Sequence, residues 1–221
     1  VFTTVETCLR GLRRGDRVLV HAGTGGVGLA AVAIAQATGA VVYATAGAAF
    51  KHEYLHGLGI EYVSSSRQSE KFQASLEGWF GPDPCEPLAE AGFDYVINSL
   101  SDDFIPLSLR YLKRGGVFAE IGKRKIWTRE EMSAKRSDVE YRVIAMDDVM
   151  ARDPAEFRSV LGESLDRFRS GVVRPLPVCT FPLRAGVQAA FKYLLKAQHI
   201  GKVVLEDEVE QPAGPPGGLA T

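Results

Sequence analysis

The amino-acid sequence predicts an α/β fold, a doubly wound parallel sheet that is followed by a C-terminal helix and strand. From residue 17 onwards, short β-branched apolar runs alternate with stretches of helical character, which is typical of parallel strands joined by right-handed crossover helices. A glycine cluster separates the first apolar run from the first helical stretch. Of the 221 residues, 46% are hydrophobic and 24% are charged, so the chain has enough apolar side chains to bury a core.

Each element of the predicted sheet follows from a local pattern. Residues 17–22 are mostly apolar and end at the glycine cluster, which predicts a buried first strand. Residues 27–38 predict the first helix, because alanine at many positions lets it pack closely on a sheet and Gly39 ends it. The same alternation predicts strands at residues 41–45, 60–63, 95–98 and 117–121 and helices at residues 51–57, 70–80 and 104–112.

The pattern is less regular in two other places. Residues 81–87 hold three prolines and predict an irregular loop. Residues 124–138 are strongly polar. After them, the sequence predicts a strand at residues 141–146, a helix at 154–169 that begins with Pro154 after Asp153, a helix at 185–197 and a strand at 202–205.

Charge, hydropathy and cysteine content exclude several classes of function. The formal net charge of −1 leaves no basic surface of the kind that binds nucleic acid. The apolar runs are too short to span a bilayer, so we expect no membrane segment. The three cysteines stand far apart and form no C-x-x-C pair, which favours a reducing cytoplasm and no metal site.

The glycine cluster matches G-x-G-x-x-G at Gly23, Gly25 and Gly28 and lies between the predicted first strand and first helix. In Rossmann-type folds the first glycine permits the turn, the second lets a pyrophosphate approach the backbone, and the third lets the helix lie close to the strand. The alternative is a glycine-rich turn that only packs. The predicted dinucleotide-binding residues of this turn are Gly23, Thr24, Gly25, Gly26, Val27 and Gly28.

The end of the second predicted strand favours a phosphorylated cofactor. NAD-binding proteins commonly have an acidic residue there, which holds the ribose 2′-hydroxyl. Residues 43–47 contain none, and Thr45 stands among small residues. Lys51 and Arg67 follow and could pair with a 2′-phosphate, which predicts NADPH as the cofactor. The alternative is that both are solvated surface charges.

Several stretches resemble the enoyl reductase domain of polyketide synthases and of animal-type fatty acid synthase, in the medium-chain reductase superfamily. The resemblance covers roughly residues 1–205. The stretches that carry it are residues 21–28, 65–67, 96–100, 118–123, 171–176 and 199–204.

The resemblance implies NADPH-dependent reduction of a trans-2-enoyl thioester held on an acyl carrier protein, with other domains of the same megasynthase as partners. Hydride goes to the β-carbon and a proton to the α-carbon. Lys123 and Asp147 match the family's proposed proton donors, and Asp147 is expected at the end of the predicted strand 141–146. The alternative is that both are surface residues. The matching stretches add Asn98, Ser99, Leu100, Gly122 and Lys123 to the expected cofactor contacts.

The chain is expected to divide into three segments, of which the resemblance implies the second and the proline- and glycine-rich composition of the tail predicts the third. We expect a Rossmann domain at residues 1–172, a segment at 173–206 that returns to a catalytic lobe outside this sequence, and a flexible linker at 207–221. Without that lobe the chain is expected to be half a reductase, and a homodimer is possible. The alternatives are a non-catalytic NADPH-binding or scaffolding half-domain and a fragment of a quinone-reductase-like oxidoreductase. Residues 199–202 argue against a zinc-type alcohol dehydrogenase.

Overall fold

The computed structural model describes residues 1–82 and 91–207. The chain divides into two compact units, Val1–Leu176 and Pro177–Thr221. Residues 83–87 of the predicted proline-rich loop and residues 208–221 of the predicted linker lie outside the described part. No helix within the described part is long and apolar enough to cross a bilayer.

The first unit is built on a six-stranded sheet in which every strand pairs with its neighbours in parallel. The order of the strands is β3-β2-β1-β4-β5-β6. Strands β2 and β3 are added on one side of β1 and the later strands on its other side, so the order reverses between β1 and β4. This is the doubly wound order, and it confirms the predicted fold class. The strands are β1 (Arg17–Val20), β2 (Val41–Ala46), β3 (Tyr62–Ser65), β4 (Phe93–Asn98), β5 (Leu112–Glu120) and β6 (Glu140–Val143).

Helices cover both faces of this sheet. Capping residues explain two helix boundaries that the sequence predicted. Gly39 ends the first long helix in a left-handed conformation with φ of 81°. Asp153 accepts hydrogen bonds from backbone N–H groups in the first turn of the helix that begins at Pro154. The helices are α1 (Phe2–Cys8), α2 (Gly26–Thr38), α3 (Ala49–Gly57), α4 (Ser69–Phe80), α5 (Phe104–Arg110), α6 (Arg129–Lys135), α7 (Met146–Arg152) and α8 (Pro154–Arg169).

Two hydrophobic clusters lie on opposite faces of the sheet. Successive residues of β1 alternate between them, because side chains along a strand point to opposite faces. Val18 and Val20 belong to the cluster that α2 covers, and Leu19 belongs to the cluster that holds Phe72 and Phe118. All five side chains are fully buried.

Helix α1, which the sequence did not predict, packs against α8 through an ion pair and an aromatic contact. Arg167 donates to both carboxylate oxygens of Glu6, at 2.6 and 3.3 Å. The rings of Phe2 and Phe168 meet edge to face with centroids 4.7 Å apart. The Glu6 side chain is only 6% exposed, so this ion pair closes a largely buried contact between the two ends of the first unit.

The polar stretch after residue 123 contains a helix that the sequence did not predict. It contains α6, which a capping box begins: Thr128 accepts from the Glu131 backbone N–H, and the Glu131 carboxylate accepts from the Thr128 N–H. Met132 is the one residue of α6 that is buried. The strand predicted at residues 141–146 is shorter, because β6 ends at Val143 and α7 begins at Met146.

The second unit contains two parallel strands, β7 (Val178–Pro182) and β8 (Lys202–Glu206), and the helix α9 (Val187–Leu195) between them. The sequence predicted α9 and β8 but not β7. Gly201 has φ of 75°, and a Cβ there would overlap the Pro177 carbonyl oxygen, so this turn requires glycine.

Candidate functional site

A cleft of about 600 Å³ opens at the carboxyl ends of β3, β4 and β5. In doubly wound sheets ligands bind at this edge, beside the point where the strand order reverses. The segments that follow the three strands supply its walls. Five of the predicted site residues line the cleft: Arg67, Ser99, Leu100, Gly122 and Lys123. Asp102 and Arg124, which the sequence did not single out, line it as well.

The glycine turn follows β1, between the ends of β2 and β4. The Gly23 N–H donates to the Thr45 carbonyl at 2.8 Å, and the Gly25 N–H donates to the Ala22 carbonyl at 2.9 Å. Ala22 has a left-handed backbone with φ of 50°, which is strained for a residue with a side chain. These contacts fix the sharp turn that leads into α2.

The three glycines of the motif differ in what surrounds them. A Cβ on Gly28 would overlap the Ala22 carbonyl oxygen and come within 2.7 Å of the Gly23 Cα, so Gly28 is required for packing. A Cβ on Gly23 would lie 3.1 Å from the Ala44 Cβ. A Cβ on Gly25 would meet only the Ala22 oxygen, at 3.3 Å. Packing therefore explains Gly28 well and Gly25 poorly, and the bare backbone at Gly25 suits a pyrophosphate.

A buried polar network supports the turn from beneath. The Ser108 hydroxyl donates to the Phe104 carbonyl, so the His21 Nε2–H donates to Ser108 at 2.8 Å. The Thr45 hydroxyl, 3.2 Å from His21 Nδ1, then donates to that nitrogen and accepts from the Ala22 N–H. Thr45 is fully buried, so its side chain holds the turn and does not face the cleft. Burial lowers the pKa of His21 to about 3, which keeps the ring neutral.

Lys51 and Arg67 lie near each other beyond the end of β2. Lys51 is only 8% exposed, and burial, followed by the charge of Arg67, lowers its pKa. A Cβ on Gly47 would come within 3.0 Å of the Arg67 Nε, so the missing side chain there makes room for the guanidinium. Neither cation makes an ion pair within residues 1–82 and 91–207. Two such cations fit a doubly charged anion.

Asn98 and Glu120 form a buried pair that joins the loops that follow β4 and β5. Asn98 donates to Glu120 at 2.6 Å, and the Gly122 N–H donates to the other Glu120 oxygen at 2.6 Å. Asn98 also bonds the backbone of Leu100, as donor to its carbonyl and as acceptor from its N–H. Asn98 and Glu120 have no exposed surface, so they position the lining residues Leu100 and Gly122 from below.

Sequence reasoning missed Glu120 and His21 as site residues. Two signals could have found them: Glu120 is a carboxylate at the end of a strand of buried residues, and His21 is an imidazole directly after another such strand.

Lys123 and Asp147, the two predicted catalytic residues, lie next to each other, and Lys123 lines the cleft. Their side chains are 3.4 Å apart and 70% and 73% exposed. The prediction that Asp147 ends a strand is wrong, because it lies in the first turn of α7. Backbone hydrogen bonding and then Lys123 lower the pKa of the Asp147 carboxyl. Lys125 forms a similarly exposed pair with Asp102 at 3.1 Å.

Residues that could hold a metal ion would form a cluster of His, Cys, Asp or Glu side chains. The part of the chain that the structure describes contains no group of three or more of them in such an arrangement.

Comparison with known proteins gives one family. Residues 58–205 match the family model described as zinc-binding dehydrogenase. The chain is 38% identical to the spectinabilin polyketide synthase system protein NorB of Streptomyces orinoci, over 95% of this chain and 9% of that protein. It is 39% identical to mycoketide-CoA synthase of Mycobacterium tuberculosis, over 93% of this chain and 5% of that protein. The chain thus spans only a small part of these relatives.

Solved structures show the same relationship. The CurK enoyl reductase is 36% identical with a TM-score of 0.81, over 92% of this chain and 59% of that chain. The nucleotide-binding subdomain of the enoylreductase domain of PpsC from Mycobacterium tuberculosis is 33% identical with a TM-score of 0.67, over 79% of this chain and 97% of that one. The chain therefore belongs to the zinc-binding dehydrogenase family, among the enoyl reductase regions of polyketide synthases, where it corresponds to the nucleotide-binding half.

Proposed function

We propose that the chain binds NADPH and forms the cofactor-binding half of an enoyl reductase that reduces trans-2-enoyl thioesters carried on an acyl carrier protein. One observation carries the proposal. A single cleft is lined by Arg67, the cation expected at a 2′-phosphate, and by Lys123, the lysine expected at the reacting thioester. NADPH supplies the hydride for the β-carbon when it is bound.

The residues around the glycine turn would hold the two charged parts of this cofactor. The first N–H groups of α2 point out of the helix start at Gly25, where the macrodipole favours the pyrophosphate. Lys51 and Arg67 would pair with the 2′-phosphate, which gives the buried Lys51 a counter-charge. No carboxylate in residues 43–47 stands in the way of that phosphate.

Lys123 and Asp147 would act on the substrate. When hydride reaches the β-carbon, negative charge develops on the thioester oxygen, and a cation or hydrogen-bond donor beside that oxygen stabilises it. The Lys123 ammonium can serve there or deliver the proton to the α-carbon. Asp147, whose carboxylate lies 3.4 Å from the Lys123 Nζ, would hold the ammonium group in position.

The second unit would return to the lobe that completes the reductase. It exposes large apolar side chains, with Val178 at 55%, Phe191 at 59% and Leu195 at 85%. Apolar surface of this kind is typical of a face that another domain covers. The CurK enoyl reductase is longer than this chain, which covers 59% of it.

Lys51→Ala is expected to weaken binding of NADPH by roughly 5- to 150-fold, because a charge-assisted contact to a phosphate contributes about 1–3 kcal/mol. Binding of NADH, which lacks that phosphate, should hardly change. Titration of both nucleotides against the protein's fluorescence measures the two dissociation constants. Lys71→Ala, which removes an exposed lysine from α4, is the matched control and should leave both constants unchanged. Equal affinity of the unaltered chain for NADPH and NADH would remove the argument for a 2′-phosphate site.

The activity is tested by NADPH oxidation with a crotonyl thioester. We expect turnover when this sequence is part of the complete reductase domain and negligible turnover by residues 1–221 alone, because the substrate must be clamped over the cofactor in a site that excludes water. A quinone offered in place of the thioester separates the two oxidoreductase hypotheses. Turnover of the quinone alone would contradict an enoyl reductase, and rapid thioester reduction by the isolated chain would contradict the half-enzyme proposal.

A further inference from the structure

Glu120 is a buried carboxylate for which the proposed chemistry has no use. It ends β5 and has no exposed surface. Among the described residues, no Lys, Arg or His forms an ion pair with it. Carboxylates are almost never fully buried unless something pairs with them, so its presence under the cleft calls for a reason.

The hydrogen bonds around Glu120 suit the charged form. Both of its oxygens accept from N–H groups, one from Asn98 Nδ2 at 2.6 Å and one from the Gly122 backbone at 2.6 Å. The amide of Asn98 cannot turn around, because its oxygen accepts from the Leu100 N–H and its nitrogen donates to the Leu100 carbonyl. The pKa of the Glu120 carboxyl is raised overall, because the effect of burial exceeds that of the two hydrogen bonds, which lower it. If Glu120 were protonated, its O–H would point at one of these two N–H donors instead of at an acceptor.

The carboxylate of Glu120 lies directly beneath one end of the cleft. Gly122 and Leu100, which are bonded to the Glu120–Asn98 pair, both line the cleft, and Lys123 is next in the chain. The positive charge of Lys123 is turned towards Asp147 and is 70% exposed, so solvent screens it. The negative charge of Glu120 is screened much less, because no water reaches it.

We propose that Glu120 is an electrostatic positioning residue whose buried charge favours the oxidised, positively charged nicotinamide ring over the reduced, neutral ring. The inference rests on the proposed NADPH site, with the nicotinamide at the Lys123 end of the cleft. The nicotinamide ring would carry one more positive charge after hydride transfer than before it. A negative charge below it lowers the free energy of that change, and so favours transfer to the enoyl β-carbon.

The test compares the two redox forms of one cofactor on the chain itself. Dissociation constants of NADP⁺ and NADPH are measured by calorimetry for the unaltered chain and for Glu120→Gln. The ratio Kd(NADP⁺)/Kd(NADPH) should rise about tenfold in the variant, which is the effect of one charge acting over roughly 10 Å at an effective dielectric of about 20. A purely structural role would weaken both forms by the same factor and leave the ratio unchanged.

Glu120→Asp is the matched control, since it keeps the charge and shortens the side chain. It should retain the ratio even where both affinities fall. Thermal melting checks that each variant is folded. If Glu120→Gln does not fold, the apolar pair Asn98→Leu with Glu120→Met removes the same charge and should raise the ratio likewise. An unchanged ratio in the folded charge-free variant overturns the inference, whereas failure of the unaltered chain to bind either form overturns the proposed function and this inference with it.

Discussion

Gly25→Val is expected to weaken NADPH binding by at least about 100-fold and to leave the chain folded. Gly25 has φ of −73° and ψ of 170°, an extended conformation that valine adopts readily. The added Cβ would meet only the Ala22 carbonyl oxygen, at 3.3 Å, a tight contact that a small shift of that neighbour relieves. The isopropyl group would stand where the pyrophosphate approaches the backbone. Calorimetric titration with NADPH measures the loss, and thermal melting should shift by only a few degrees.

Gly28→Ala is the contrasting variant in the same turn. Its Cβ would overlap the Ala22 carbonyl oxygen and the backbone of Gly23, so the helix must move away from the strand. We expect a loss of about 1–3 kcal/mol or more in the free energy of unfolding, the usual result of overpacking. A Gly25→Val variant that bound NADPH normally would show that the whole turn serves packing only.

Lys123→Ala in the complete reductase domain is expected to lower the rate of enoyl thioester reduction by about 100-fold or more, the common cost of removing a donor that acts on developing charge. The expected effect on folding is small, because the Lys123–Asp147 pair is 70% and 73% exposed and such pairs contribute about 0–1 kcal/mol. The loss should appear in kcat and exceed any change in the dissociation constant of NADPH. Steady-state kinetics with a crotonyl thioester, together with NADPH titration, separates the two quantities.

Lys125→Ala is the matched control for that measurement. Lys125 stands two residues further on, is 71% exposed and pairs with Asp102 at 3.1 Å, so its removal changes the surface charge in the same way. It should reduce the thioester at nearly the unaltered rate. Equal rates for the two variants would contradict a catalytic role of Lys123 and would show that it is an ordinary surface lysine.

The sheet could be predicted from the sequence because its signals are local. Apolar runs such as residues 17–20 form strands wherever turn residues bound them, and Gly39 ends a helix by its own backbone freedom. The position of Asp147 was mispredicted for a local reason as well. Residues 141–146 are mostly apolar or aromatic, and nothing in that composition marks the point at which a short edge strand gives way to a helix.

The buried polar partners could not be predicted in this way. His21 and Ser108 are 87 positions apart in the sequence, and Asn98 and Glu120 are 22 apart, so only the folded sheet brings each pair together. The glycine motif indicates where a phosphate would lie, but the residues that hold the turn come from β2 and α5. The roles of Lys51 and Lys123 remain predictions that the variants above test.

The ion pair between Glu6 and Arg167 bears on how the chain folds during synthesis. The two residues are separated by 161 positions, so α1 cannot complete its contacts until α8 has left the ribosome. At about 5–20 residues per second, that interval lasts roughly 8–30 s. Throughout it, the apolar side of α1, with Val5 and Cys8, has no α8 to cover it. Such late closure slows folding and leaves the nascent chain open to association with its neighbours until α8 has emerged.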